Sequence, residues 1–110
     1  MKQFEVWRFV FPKKGEHSVV LISHTDFCAQ SIVNVLYCTT QRQARPAAPD
    51  EVLLNSADGL DWEVYCRCDQ IFSVETSRLK RRDKAAAVSA ERRRQISDRI
   101  ISLFRFSRHP

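Results

Sequence analysis

The chain has 110 residues, of which 44% are apolar and 28% charged, and its net charge is +5. This length and balance predict one globular domain, residues 1–110, rather than a disordered chain. The sequence has two glycines, too few for the Gly-rich loops that hold nucleotide diphosphates in Rossmann and P-loop proteins. The first residues, MKQFEVWRF, place charges inside an apolar run, so we expect no signal peptide, no membrane span and a cytoplasmic protein.

Four cysteines occur, at Cys28, Cys38, Cys66 and Cys68. The last two are spaced C-x-C, whereas zinc sites normally use C-x2-C or a wider spacing. The three histidines, His17, His24 and His109, lie far in sequence from Cys66 and Cys68. We therefore predict buried free thiols, no metal and no cofactor.

Short strands dominate the first two thirds of the chain. Runs rich in aromatic and β-branched residues predict strands over residues 4–11, 18–23, 32–39 and 51–54. A longer run, residues 62–74, predicts one long strand or two with a bend. Residues 13–16 and the proline-containing residues 41–50 are predicted to be loops. The sequence NSADGL is predicted to be a turn, and residues 76–79 are predicted to form one helical turn.

The C-terminal third is predicted to contain a helix over residues 89–104, with Ser89 as the N-cap. An apolar stripe at helical spacing, formed by Ile96, Ile100, Leu103 and Phe104, is expected to dock on the sheet. Residues 105–110 are expected to be a frayed tail. Residues 74–110 carry 11 Lys or Arg against 4 Asp or Glu, which indicates either a nucleic-acid footprint or a solvated helix face. These elements predict a mainly β fold, a strongly bent antiparallel sheet or small barrel with a C-terminal α-helix.

The stretch EVYCRCDQIF, residues 63–72, contains the most informative pattern. Side chains alternate between the two faces of a strand. This alternation predicts that Val64, Cys66 and Cys68 face the core. It also predicts that Tyr65, Arg67 and Asp69 face solvent. Arg67 and Asp69 would then stand roughly 6.6–7 Å apart at Cα. A guanidinium and a carboxylate at this spacing either share a bound phosphodiester or form an exposed ion pair of little consequence.

The segment CRCDQIFSVETSRL, residues 66–79, resembles the V-R-C-D-Q-x-R-T-[IV]-D-x-x-R-L signature of the PemK/MazF family of toxin endoribonucleases. FEVWRFVF, SVVLIS and IVNVLYCTTQ resemble the first three strands of that family in the same order, and the resemblance spans residues 3–104. It implies a small SH3-like (CcdB/PemK-type) β-barrel over about residues 3–75. It also implies a homodimer, metal-independent cleavage of single-stranded RNA by 2′-OH attack, and a cognate antitoxin that blocks the site.

The resemblance carries over residue by residue. Arg67 and Asp69 match the catalytic arginine and aspartate, and Thr39 the catalytic threonine, with Thr40 the alternative if the alignment slips by one. One departure is that His17-Ser18 stands where the family has Arg-Pro. Either activity is lost or His17 takes over a proton-transfer role, because histidine titrates near neutral pH. An exposed loop histidine is the other interpretation.

Further residues complete the expected site. Lys13 and Lys14 supply positive charge in place of the missing arginine, and Tyr65 either stacks an RNA base or packs at the edge. Either Asp69 or His17 is the base, and Arg67 stabilises the phosphorane charge. Two alternative functions are a catalytically weakened RNA-binding module and a non-catalytic CcdB-like toxin that acts on a protein target such as gyrase.

Overall fold

The computed structural model describes residues 1–105. Within that range the chain forms six strands and one α-helix: β1 (Glu5–Phe11), β2 (Gly15–Leu21), β3 (Ile32–Thr40), β4 (Glu51–Leu54), β5 (Val64–Glu75), β6 (Ala86–Ala87) and α1 (Ala90–Leu103). The strands make one antiparallel sheet in the order β4-β5-β3-β2-β1-β6. The curled sheet is a half-barrel with a C-terminal helix, so the predicted fold class is confirmed.

Most predicted elements are confirmed, with shifted ends. β4 has the predicted bounds, and the predicted turns appear as short 3-10 helices at Ser56–Asp58 and Thr76–Arg78. β2 begins at Gly15 rather than at residue 18, because β1 continues to pair with it as far as the turn. β6 was not predicted, since two alanines give no periodic pattern.

The sheet is buried on both faces. On one face a core cluster that includes Val20, Leu36 and Cys38 packs under α1. On the other face Val19, Val35 and aromatic residues of β1 form a second cluster. Adjacent residues of β2 and β3 divide between the two clusters, because side chains alternate along a strand. This two-sided burial explains why VVLI, residues 19–22, is continuously apolar.

A three-residue irregularity interrupts β5. Leu36 of β3 is opposite Ile71, but the next residue, Tyr37, is opposite Arg67, so residues 68–70 have no partner on β3. The backbone N–H of Cys68 instead donates to the carbonyl oxygen of Asp50, at 2.8 Å. The predicted long strand therefore exists as one strand with a bulge.

The helix α1 is anchored near its middle. Ile96 is fully buried in the core cluster under the sheet, and Ile100 packs against that cluster. Leu103 and Phe104 remain substantially exposed, so the predicted docking of the whole stripe is wrong at its C-terminal end. The helix ends at Leu103. None of the helices in residues 1–105 is long and apolar enough to cross a membrane.

A buried carboxylate fixes the start of α1. Ser89 is the N-cap residue, as predicted, although its side chain makes no cap hydrogen bond. Its backbone N–H donates instead to Asp58 at 2.8 Å, and Asp58 also accepts from the N–H of Asn55 at 2.9 Å. The next residue, Gly59, has φ +82°, and a Cβ there would lie 3.2 Å from Ala86, so glycine suits this close turn. Residues 106–110 of the predicted tail lie outside the described residues.

The four cysteines are buried and free of disulfides, as predicted. Cys66 lies opposite Cys38 on the neighbouring strand. Hydrogen bonding to Cys38 and Cys68, together with burial, raises the pKa of the Cys66 thiol well above its ordinary value. These thiols therefore act as small apolar side chains of the core.

Candidate active site

Arg67 lies on β5 between Tyr37 of β3 and Glu51 of β4, each directly opposite it. Its guanidinium is surrounded by three carboxylates: Asp50 at 3.6 Å, Glu51 at 3.7 Å and Asp69 at 3.9 Å. All three distances exceed those of hydrogen bonds. The Nε of Arg67 is buried and has no hydrogen-bond partner within residues 1–105. Arg67 is therefore held by charge; its Nε is closed off from solvent, and the exposed 28% of its side chain is the part that a ligand can reach.

Glu51 is turned towards a different arginine. It is only 2% exposed, and its carboxylate accepts two hydrogen bonds from Arg45, at 2.7 and 3.0 Å. The N–H of Ala48 donates a third at 2.8 Å. The Arg45 hydrogen bonds, helped by the Ala48 N–H, lower the pKa of Glu51 although burial acts in the opposite direction. Glu51 is therefore ionised and bonded to Arg45 rather than to Arg67.

His17 is part of strand β2 and is half-buried, so an exposed loop histidine is the wrong interpretation. Its Nδ1 lies 3.0 Å from the carbonyl oxygen of Cys38. Its Nε2 lies 3.0 Å from the carbonyl oxygen of Lys14 and 3.2 Å from the hydroxyl of Tyr37. A neutral ring can donate to one carbonyl and accept from Tyr37, whereas a protonated ring can donate to both carbonyls. His17 therefore has a hydrogen-bond partner at each ring nitrogen, which fixes the orientation of the ring.

Tyr37 is the site residue that sequence reasoning missed. Its side chain is buried, and the ammonium of Lys14 lies 4.7 Å from the centre of its ring. Burial raises the pKa of the phenol, against the opposing charge of Arg67. The phenol is thus a neutral hydroxyl that contacts His17, on a residue paired with Arg67 in the sheet. Its alternation with Thr39 on β3, which puts both on one face, was the signal available in the sequence.

The other predicted residues take different places. Thr39 is half-buried opposite Tyr65 and lies on the face that carries Tyr37 and Arg67. Thr40 is exposed and lines a pocket of about 260 Å³, to which His17 also contributes. Lys13 is exposed in the β1–β2 turn, with φ +68°. Asp69 is exposed on the β5 bulge beside Arg67.

Tyr65 does not face solvent, contrary to the prediction. It is 2% exposed, because the loop of residues 41–50 covers it. The guanidinium of Arg45 lies 4.0 Å above its ring centre, its hydroxyl donates to the carbonyl oxygen of Arg45 at 2.7 Å, and Gln41 donates to that hydroxyl at 2.9 Å. As placed here, the ring offers no free face to an RNA base. Alternation indicates which side of the sheet a residue is on, but not whether a loop covers it.

The donor set does not point to a metal centre. In the part of the chain that the structure describes, no three His, Cys, Asp or Glu side chains are arranged to hold a metal ion. The carboxylates near Arg67 instead face arginines. The chemistry that this face offers is therefore hydrogen bonding, proton transfer and stabilisation of negative charge by Arg67.

Comparisons with known proteins identify the family of this chain. Residues 2–104 match the model of the PemK-like, MazF-like toxin family of type II toxin-antitoxin systems. No curated protein gave a significant match.

Solved structures share the fold at low sequence identity. An endoribonuclease in complex with its cognate antitoxin, from a mycobacterial species, superposes with a TM-score of 0.73 at 18% identity, covering 93% of this chain and 92% of that chain. The Mycobacterium tuberculosis toxin MazF-mt6 superposes with a TM-score of 0.72 at 16% identity, covering 92% of this chain and 98% of that chain. A MazE–MazF structure from Deinococcus radiodurans superposes with a TM-score of 0.69 at 16% identity, covering 97% of each chain. With a family match over nearly its whole length, the chain belongs to the PemK-like, MazF-like toxins of type II toxin-antitoxin systems.

Proposed function

We propose that this chain is an endoribonuclease that cleaves single-stranded RNA without a metal ion. The observation that carries the proposal is the position of His17. Its two ring nitrogens each have a carbonyl acceptor at 3.0 Å, and its Nε2 contacts Tyr37, which lies directly opposite Arg67. A proton acceptor and a cation with available donors thus occupy one face of the sheet.

The reaction can be written from these groups. His17 takes the proton of a ribose 2′-OH, and the resulting oxygen attacks the adjacent phosphorus, so that the O2′–P bond forms and the P–O5′ bond breaks. Arg67 stabilises the negative charge of the phosphorane, and Thr39 donates a hydrogen bond to a phosphate oxygen. The departing O5′ takes a proton from Lys14 or water. The products are a 2′,3′-cyclic phosphate and a 5′-hydroxyl, and DNA is not a substrate because it lacks the 2′-OH.

His17 is the preferred base over Asp69. Each ring nitrogen of His17 has a hydrogen-bond partner, so the imidazole is held in one orientation on the face that carries Arg67. Asp69 instead lies beside Arg67, where its charge competes with the phosphate for the same guanidinium. We assign Asp69 to orienting Arg67.

The test is incubation of the purified protein with a mixed-sequence RNA in EDTA. We expect cleavage, with cyclic phosphate ends detected by mass spectrometry. His17→Gln, which retains hydrogen bonding but does not take a proton at neutral pH, is expected to reduce the rate by about 10²-fold or more. Arg94→Ala, on an exposed position of α1, is the control.

Other results of the same incubation would contradict the proposal. Binding of RNA without cleavage would favour a weakened RNA-binding module. Neither binding nor cleavage would favour a toxin that acts on a protein target. Cleavage by His17→Gln at the wild-type rate would exclude His17 as the base.

We also propose a cytoplasmic homodimer that binds a cognate antitoxin. The family match supports an antitoxin partner, and one of the similar structures is described as an endoribonuclease in complex with its antitoxin. The net charge of +5 favours an acidic partner. Light scattering on the purified chain measures the dimer, and co-purification with the product of a neighbouring reading frame that encodes a small acidic protein tests the antitoxin.

A further inference from the structure

A recess beside Thr39 is separate from the His17–Tyr37 contact. It has a volume of about 400 Å³ and is lined by Thr39, Thr40, Arg42, Gln43, Arg45 and Tyr65. This volume lies within the range of small-molecule binding sites. We call it the Arg45 recess.

The guanidinium plane of Arg45 is fixed before any ligand arrives. One face lies 4.0 Å above the ring centre of Tyr65, and both terminal nitrogens bond the carboxylate of Glu51. The side chain is nevertheless 48% exposed, and it lines the recess. Arg45 is therefore a flat, pre-oriented surface that a ligand can approach from the side away from Tyr65.

The charge of the recess favours RNA. Two arginines line it, Arg42 and Arg45, and its lining contains no Asp or Glu. The carboxylate that neutralises Arg45, Glu51, is buried beneath. Arginine planes stack on unpaired RNA bases, and the phosphates on either side of such a base would be attracted to Arg42.

We propose that the Arg45 recess binds one unpaired purine of the RNA substrate, stacked on the guanidinium of Arg45. Gln43, which is exposed at the recess, hydrogen-bonds the edge of the base, since a glutamine amide pairs with adenine N6 and N7. Because Thr39 lines the recess and shares a face with Arg67, the purine is a near neighbour of the scissile phosphate. This inference rests on the proposed function and adds to it a determinant of sequence preference.

The test measures binding rather than cleavage. Fragments from the mixed-sequence RNA define the cut site, and a 2′-O-methyl oligonucleotide of that sequence, which cannot be cut, is then prepared with one abasic position at a time. Affinities are measured by fluorescence anisotropy. For the wild-type protein, removing the stacked purine is expected to weaken binding about tenfold. For Arg45→Met, the same removal is expected to change binding less than about twofold, because the stacking surface is already gone.

Three further variants separate stacking from general damage. Arg45→Lys retains a charge for Glu51 but loses the plane, and it is expected to behave like Arg45→Met. Arg45→Met combined with Glu51→Gln also removes the buried charge of Glu51. Like Arg45→Met alone, it is expected to lose the abasic penalty, which is the weakening of binding when the stacked purine is replaced by an abasic position. Gln43→Ala is expected to retain the penalty but to lose the preference for adenine over guanine at that position. Arg94→Met on α1 is the control and is expected to match the wild-type protein.

The outcomes distinguish this inference from the proposed function. An abasic penalty of equal size in the wild-type protein and in all Arg45 variants, with RNA still cleaved, overturns the recess alone. If mixed-sequence RNA is neither cut nor bound, both the recess and the proposed function are overturned. A penalty that disappears in the Arg45 variants and persists in Arg94→Met supports the stacked purine.

Discussion

Arg45 and Arg67 lie on either side of the same carboxylate and are bonded very differently. Arg45 makes two short hydrogen bonds to Glu51, rests on the ring of Tyr65 and is half-exposed. Arg67 is 28% exposed, is within 4 Å of three carboxylates, and makes a hydrogen bond to none of them. Its Nε has no partner among the described residues.

The difference separates an arginine whose hydrogen-bond donors are already used, which offers a ligand only its flat face, from one that is held by charge alone. An arginine whose donors are already bonded has little to offer a phosphate, whereas one held only by charge can turn its donors to an incoming anion. The bidentate bond between Arg45 and Glu51 is also what leaves Arg67 unbonded. The predictions below test this division of roles between the two arginines.

The largest expected effect comes from removing Arg67. Arg67→Ala deletes the cation that stabilises the phosphorane, so cleavage should fall by about 10²–10³-fold. The fold should remain, because the Nε of Arg67 has no hydrogen-bond partner within residues 1–105 and its carboxylate contacts are 3.6 Å or longer. Cleavage is measured on the mixed-sequence RNA and folding by circular dichroism. Unchanged cleavage would exclude Arg67 from the reaction.

Removing Arg45 should act through Arg67. In Arg45→Met the carboxylate of Glu51 loses its partner and is free to bond the guanidinium 3.7 Å away, which withdraws Arg67 from the phosphate. We expect about a tenfold slower single-turnover cleavage at saturating RNA, so that weaker binding does not contribute. Adding Glu51→Gln to the same chain should restore most of the rate. If the double variant is as slow as the single one, Glu51 does not compete for Arg67.

A smaller effect is expected from Tyr37→Phe. This change removes the hydroxyl that contacts His17 at 3.2 Å and keeps the ring that lies opposite Arg67. Because the carbonyl contacts of His17 remain, cleavage should fall by only about threefold to tenfold. Tyr37→Leu, which also removes the ring, is the comparison. If Tyr37→Phe is as inactive as Arg67→Ala, the hydroxyl itself takes part in proton transfer.

The smallest effect is on stability in acid. The pKa of Glu51 is lowered in the folded protein, chiefly by the hydrogen bonds from Arg45. A group with a lowered folded pKa stabilises the fold above its unfolded pKa and loses that contribution as the pH falls through the folded pKa. Glu51→Gln should therefore lose stability at pH 7 and show a shallower decline from about pH 5 to pH 3. Urea unfolding across this range is the measurement, and parallel curves for both proteins would contradict it.

The sequence predicted most of what is encoded locally. Strand β4, the turn at NSADGL, the helix and the buried cysteines follow from short-range patterns, and the fold class follows from their order. Arg67, Asp69 and His17 were placed by resemblance to a family, and the structure locates the first two at β5 and the third on β2. Their roles remain predictions.

Long-range contacts explain what the sequence did not predict. The pairing of Arg45 with Glu51 depends on how a loop without periodicity folds back over Tyr65, and no local pattern encodes that. The same loop covers Tyr65, so the prediction that Tyr65 faces solvent was wrong. Tyr37 was not predicted because its sequence pattern is that of an ordinary strand residue. Only its long-range contact with His17 places it in the site.

The bulge in β5 also changes the phase of the strand. Before it, the even-numbered residues Val64 and Cys66 lie in the core beneath α1, whereas after it the even-numbered Phe72 and Val74 belong to the opposite cluster. An odd number of extra residues reverses the alternation, since side chains repeat every two positions. A single deletion in residues 68–70 would restore the original phase and turn Phe72 and Val74 towards the helix. The bulge therefore lets one strand serve two cores, and its length must stay odd for both to remain apolar.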